Sequence, residues 1–294
     1  MPAPQPTDPH SQLLQLAGQA PDDWLTVARD TLATGAVDRL REMMSHVNRV
    51  LADREPVADE GRFEAPPHRP GAADRAVVAA AAAHPVEACW LTMRDGTAPV
   101  YLLQANDHAP MPAITSAVQR ALTNARERSP RVEVFGPLTV LPAYHEAALR
   151  AATLLWTSAP AAPVRVARTF DGASPKGGPY FSPTRELVVE ESERQRLLGF
   201  LAGGEVVLSV PDGLDDVVAP GAGKVPCDLR SDGMWVWSEA GRYYLDRHLV
   251  APDPDLAKHA GARRPPDRLT HLDRYRVRAV LAPNREEGPL WRAG

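Results

Sequence analysis

Only two cysteines occur in 294 residues, Cys89 and Cys227. They fall in different halves and form no Cys-x-x-Cys pair, which excludes a locally built zinc knuckle or redox dithiol. Both have apolar or strand-forming neighbours and read as small buried hydrophobes. Lysine is nearly absent: Lys176, Lys224 and Lys258 are the three lysines among 33 basic residues. With the abundance of alanine, this arginine excess matches the codon usage of a high-GC bacterium such as an actinobacterium. No stretch reaches about 18 uninterrupted apolar residues. The N-terminal MPAPQPTDPH has no cationic cluster followed by an apolar core, so no leader peptide is expected and the expected compartment is the cytoplasm. Charge of one sign is lacking too. The 33 basic and 37 acidic residues leave a net −4, which supplies no global field to gather nucleic acid or an anionic membrane.

Chain breakers are abundant instead. Proline and glycine number 30 and 20, about 17% of the chain against roughly 12% usual for the two together. Well-separated elements and loose joins follow. Apolar residues at 44% and charged residues at 24% are ordinary for a folded soluble chain, and the length admits two cores.

The punctuation predicts an α+β protein of two small mixed domains. Residues 1–10 carry four prolines and read as a disordered lead-in. Helices are expected over 11–52, with apolar positions from Trp24 to Leu51 near helical spacing, followed by a linker over 53–73. The first domain is expected over 74–157, in the order helix, strand 86–93, Asp95-Gly96 turn, strand 100–104, helix, strand 131–135, helix. A hairpin is antiparallel and only the later strand–helix–strand crossover can be parallel. A small sheet covered by helices on one face is expected. Residues 158–185, rich in Pro, Gly and Ala, read as a second linker. The second domain, 186–294, opens with a helix that stops at Gly203-Gly204. It continues with a strand 205–210, a second Asp-Gly hairpin at Asp232-Gly233, a helix capped by Ser238, a helix started by Asp253-Pro254 and a basic final helix.

The segment 74–156, through its alanine-rich helix, VEACWLTM, PVYLLQAN, an amphipathic helix and RVEVF, resembles the C-terminal domain of the enhanced-serine-sensitivity (SseB-like) family. That resemblance implies a non-catalytic accessory or secretion-associated role. RSDGMWVWSEAGRYYLDRH, followed by APDPDL, is similar to a module of uncharacterised actinobacterial proteins and carries no assigned chemistry.

Motifs for catalysis are incomplete. Gly221–Lys224 (GAGK) lacks the earlier glycine and the following hydroxyl of a phosphate loop, with Val218 and Val225 in those places. His145-Glu146 lacks the second histidine of a zinc-protease helix, since Leu149 stands four residues on, and His145 reads as a partly exposed helix-end residue. Glu191 and Glu193, spaced like the carboxylates of ADP-ribosyl transfer, open a predicted helix, where the dipole alone accounts for them. His84, His108, His259 and His271 have no ligand spacing. No metal and no cofactor are expected.

Three functional readings remain. In the leading one the chain is a non-catalytic accessory, adaptor or immunity-type factor that binds an unidentified protein. Its contact surface is the aromatic cluster Trp235, Trp237, Tyr243 and Tyr244, against which the same residues read, and more readily, as the core of a small domain. In the second, a hydrolase or transferase uses Cys227 as nucleophile and His248 as base, with Asp246 or Asp228 orienting the imidazole. In the third, the arginines between Arg263 and Arg292 meet nucleic acid, against which they read as a solvated helix face whose stems cover apolar surface.

Overall fold

The computed structural model describes residues 8–52, 62–67 and 71–282. Contacts divide the chain into two compact units, one ending at Pro160 and the other running from Ala161 to Glu287.

The first unit contains α1 (Pro9–Gln15), α2 (Asp22–Ala33), α3 (Val37–Ala52), β1 (Phe63–Glu64), α4 (Ala72–Ala82) and β2 (Val86–Arg94). There follow β3 (Ala98–Ala105), α5 (Met111–Asn124), β4 (Val132–Phe135), α6 (Ala143–Ala151) and β5 (Thr153–Thr157). The Asp95-Gly96 hairpin forms, both residues taking positive φ (51° and 74°), as a tight turn matched to strand twist requires. It joins β2 to β3 antiparallel, whereas β3 and β4 run parallel across α5. β1 and β5 both pair with β2.

Alternation divides the side chains of the sheet between two faces. Cys89, Leu91, Tyr101, Leu103, Val132 and Val134 pack with Val77 and Val78 of α4 and Ile114, Val118 and Leu122 of α5. From the other face Trp90 stacks on Phe135 at 6.5 Å, and Phe135 meets His145 of α6 edge-on. Helices therefore cover both faces, where one covered face was expected: β2, β3 and β4 are apolar on both sides and α6 is needed to bury the second. Helices α1–α3 share a small core around Leu13, Leu25, Ala28, Leu40 and Val47. Polar contacts tie α2 to α5 and to the loop before β4: Thr26 Oγ1 donates to the Pro130 carbonyl, and Gln119 Nε2 of α5 donates to the Thr26 carbonyl. The turn after α1 comes so close to α6 that a Cβ on Gly18 would stand 2.3 Å from the Tyr144 ring.

The second unit contains β6 (Arg165–Val166), β7 (Gly172–Ser174), β8 (Gly178–Tyr180), α7 (Glu191–Ala202), β9 (Glu205–Leu208), β10 (Leu214–Asp215) and β11 (Lys224–Val225). β12 (Leu229–Ser231), β13 (Trp235–Ser238), α8 (Glu239–His248), α9 (Pro254–Ala262) and α10 (His271–Leu281) complete it. Three short strands thus lie inside residues 158–185, expected as a linker, and β6 pairs parallel with β13. The main sheet has the order β6-β13-β12-β9. On one face Trp235 and Trp237 pack with Leu197, Phe200 and Leu201 of α7 and with Leu245 and Leu256. On the other, Val236 packs with Val164, Leu269 and Val277.

Helix starts follow the caps. Ser238 Oγ accepts from the Ala240 amide, Asp253 accepts from the Asp255 and Leu256 amides, and Thr270 with Asp273 forms a reciprocal box; each satisfies donors that the first helical turn leaves open. Glu191 and Glu193 lie in the first turn of α7, the dipole position expected of them. Among the described residues no helix is long and apolar enough to cross a membrane.

Candidate functional site

In the first unit the sheet holds a buried charged cluster. Arg29 of α2 reaches both oxygens of Glu133 on β4, at 2.8 and 2.6 Å, and His145 Nε2 of α6 lies 2.9 Å from Glu133 Oε2. The three side chains are 5%, 3% and 0% exposed. Burial would raise the Glu133 carboxyl, but the Arg29 charge and the His145 hydrogen bond outweigh it and hold the group below the ordinary carboxylate range. His145 is thus fully buried, not the partly exposed helix-end residue expected, because a carboxylate from another element receives it. A second network surrounds Asp22, which accepts from Arg94 at 2.6 Å and from Arg131 at 2.7 Å. Neither network offers reacting groups to solvent; both bind helices to the sheet.

In the second unit Asp216 is the most heavily hydrogen-bonded acid. Its Oδ2 receives His248 Nε2 at 2.7 Å and the Tyr243 hydroxyl at 3.0 Å, while its Oδ1 accepts the Val218 and Ala219 amides. Burial works to raise this carboxyl; the bonds from His248, the two amides and Tyr243 prevail and hold it down to about 2. The Val217 amide donates to the Tyr244 hydroxyl at 3.2 Å. Consecutive residues of the loop after β10 are thereby fastened to one helix, α8.

This arrangement differs from the nucleophile–base pair proposed on the sequence. His248 faces Asp216, whereas Asp246 is exposed and Asp228 accepts the Val210 amide. The Cys227 thiol donates to the Val225 carbonyl at 3.4 Å, so thiol and imidazole have different partners. Burial pushes that thiol above its ordinary value; a backbone contact from Leu214 opposes the rise and Asp228 adds to it. A reactive thiolate needs the opposite setting.

The aromatic cluster is core. Trp235, Trp237 and Tyr244 are 5%, 2% and 1% exposed, and the Trp237 indole N–H donates to the Leu201 carbonyl at 3.0 Å. Tyr243 is half-buried and committed to Asp216. As a contact surface for a partner this assignment is corrected: Leu197, Phe200 and Leu201 of α7, Leu245 of α8 and Leu256 of α9 cover the tryptophans. Arginines of the last helix are engaged as well. Arg274 forms a paired contact with Glu205, and Arg276 donates to the Ala162 carbonyl. Arg285 and Arg292 lie outside the described residues. Lys224 of the GAGK stretch opens β11 and pairs with Asp215 at 2.8 Å.

The second unit also exposes an aliphatic edge. β9 ends its sheet, with no described strand on its outer edge. Val206 and Leu208 are 40% and 49% exposed, followed by Val210 and then by Leu214 and Val218 in the loop. Val207 is the extra residue of a bulge against β12 and packs into the core beneath α10. Glu205–Val218 also carries four acids, Glu205, Asp212, Asp215 and Asp216, and no base. The sequence reading missed this edge because EVVLSV is apolar at nearly every position, the pattern of a strand buried on both sides.

Comparison with protein-family models, curated proteins and solved structures found no match.

Proposed function

We propose that the chain is a protein-binding factor of the accessory, adaptor or immunity type, and that it receives its partner as an added strand along β9. The SseB-like resemblance of residues 74–156 belongs to the same reading. The observation that carries it is a sheet edge that exposes aliphatic side chains, Val206 and Leu208 on either side of the bulge in β9 and Val210 just beyond the strand. Folded proteins ordinarily guard such an edge with lysine, proline or an inward charge, since its free N–H and C=O groups template pairing. Here Val206–Val210 has no charge, and the nearest prolyl ring is Pro211. An extended segment pairs with the main chain of the edge and places its side chains beside Val206 and Leu208. Glu205 and Asp216 are already taken by Arg274 and His248, and the exposed acids Asp212 and Asp215 favour a strand that is aliphatic and basic.

Hydrogen exchange of the whole protein tests this with two synthetic peptides of equal length, alternating Val/Lys and alternating Val/Glu. New protection of amides within Val206–Ser209 by the lysine peptide alone, lost in Leu208→Lys with an unchanged melting temperature, supports strand addition. Protection elsewhere, or none, refutes it.

A further inference from the structure

A second recess of the C-terminal unit is unlike the β9 edge. Between the extended segment before α7, the first turns of α7 and the start of α9 lies a cleft of about 330 Å³. That is the lower end of the roughly 300–1,000 Å³ usual for ligand clefts, a size for a dipeptide rather than a nucleotide cofactor. Its walls are fixed in advance. Arg185 donates through Nη1 to Asp171 at 2.6 Å and through Nε and Nη2 to the Ala251 carbonyl, and the Ser182 amide donates to Asp171. Arg185 is thus consumed in tying three segments together.

The remaining charges at the cleft have both signs. Arg168 is 79% exposed, with Nε 3.7 Å from Asp253. Glu186 is exposed, and Glu193 on the first turn of α7 is 54% exposed, 3.8 Å from Arg196. Pro254 and Ala257 supply an apolar wall, with Val188 and Leu197 buried behind it. A polyanion would meet the two glutamates, and a simple cation would meet Arg168. A molecule with a carboxylate, an ammonium and an aliphatic body satisfies all three surfaces.

We propose that this cleft binds the free termini of a short aliphatic peptide, its carboxylate on Arg168 and its ammonium on Glu193 and Glu186, with the side chains against Pro254 and Ala257. The site is independent of the β9 edge.

The probe is the dipeptide alanyl-leucine, titrated into the whole protein and followed by amide NMR shifts. Expected are shifts within 168–197 and 251–257, and at least roughly tenfold weaker binding when either the amino or the carboxyl terminus is capped. Arg168→Gln, an exposed change that leaves the fold intact, should weaken the free dipeptide but not its C-terminal amide. Absence of shifts in the cleft, or binding indifferent to both caps, overturns the proposal. Equal loss for the free and amidated forms in Arg168→Gln overturns the assignment of the carboxylate.

Discussion

Replacing Glu133 with Gln removes one charge from a pair whose side chains are 5% and 3% exposed. The guanidinium of Arg29 then stays buried opposite an amide, which still offers one carbonyl oxygen but no charge. Breaking a buried pair from one side costs about 3–5 kcal/mol, because the surviving ion keeps its desolvation cost without its counter-charge. With one acceptor retained the loss should be near the lower figure, about 3 kcal/mol. For a unit of about 150 residues that lowers the melting temperature by roughly 6–12 °C. Urea unfolding followed by far-ultraviolet circular dichroism measures it directly. The double variant Arg29→Met, Glu133→Leu removes both charges and should be less destabilised than Glu133→Gln. An acid titration gives a second readout. The folded-state Glu133 carboxyl lies below its ordinary value, so the stability it contributes is complete above the unfolded pKa of about 4.3 and is lost as pH falls through the folded one. Glu133→Gln should therefore lose less stability than the parent between pH 5 and its acid transition. A loss under about 1 kcal/mol, the value of a solvent-exposed pair, or an unchanged acid profile would show that the pair is hydrated and that α2 is not held as described.

Two glycines of equal backbone conformation but different surroundings separate strain from collision. Gly18 and Gly35 have φ of 77° and 75°, but a Cβ at Gly18 enters the Tyr144 ring while one at Gly35 meets nothing within 4 Å. Gly35→Ala should cost about 1 kcal/mol and Gly18→Ala at least twice that in the same urea assay; equal losses would refute the close approach of the α1–α2 turn to α6. In the second unit, Asp216→Asn weakens the acceptor for the Val218 and Ala219 amides and should speed their exchange roughly tenfold without changing the exchange of Trp237. The Asp216 carboxyl is depressed to about 2, so in the parent these amides should stay protected from above pH 3.8 down toward pH 2 and lose protection as pH falls through that value. Early loss near pH 5 would contradict the assignment.

Local signals carried the elements well. Asp95-Gly96 states its turn through positive φ at both residues and Asp232-Gly233 through Gly233, and Ser238 and Asp253 state helix starts through capping chemistry. Long-range partners were not legible. Glu133 sits in VEVF, where alternation makes it the natural solvent-facing residue of the strand; it is buried because Arg29, 104 positions earlier, reaches it. Asp216 escaped notice for the same reason, since its imidazole partner lies 32 residues away and Asp246 is the nearer acid in sequence. The tryptophans were read as surface or core with one pattern for both, because same-face alternation on a strand does not say whether helices cover that face.

The histidines show why the search for chemistry by spacing led nowhere while the fold is well specified. His10 Nε2 meets the Val134 carbonyl at 2.8 Å, His145 meets Glu133, His248 meets Asp216, and His259 meets Asp232 at 2.5 Å. Each pair joins two elements, and in each acid pair the carboxylate has at least one further donor: Arg29 at Glu133, two amides and Tyr243 at Asp216, and the Met234 and Trp235 amides at Asp232. A carboxylate so shared is held in one geometry and fixes the imidazole in turn, which makes each pair a cross-link between a helix and a strand or loop. These four imidazoles and three acids are therefore already occupied in holding elements together. Among the outward-facing groups of the second unit are the aliphatic side chains of the β9 edge and the mixed charges of the 330 Å³ cleft. The strand addition and the capture of peptide termini proposed for them rest on shape, main-chain pairing and paired charges, and neither requires a group to gain or lose a proton.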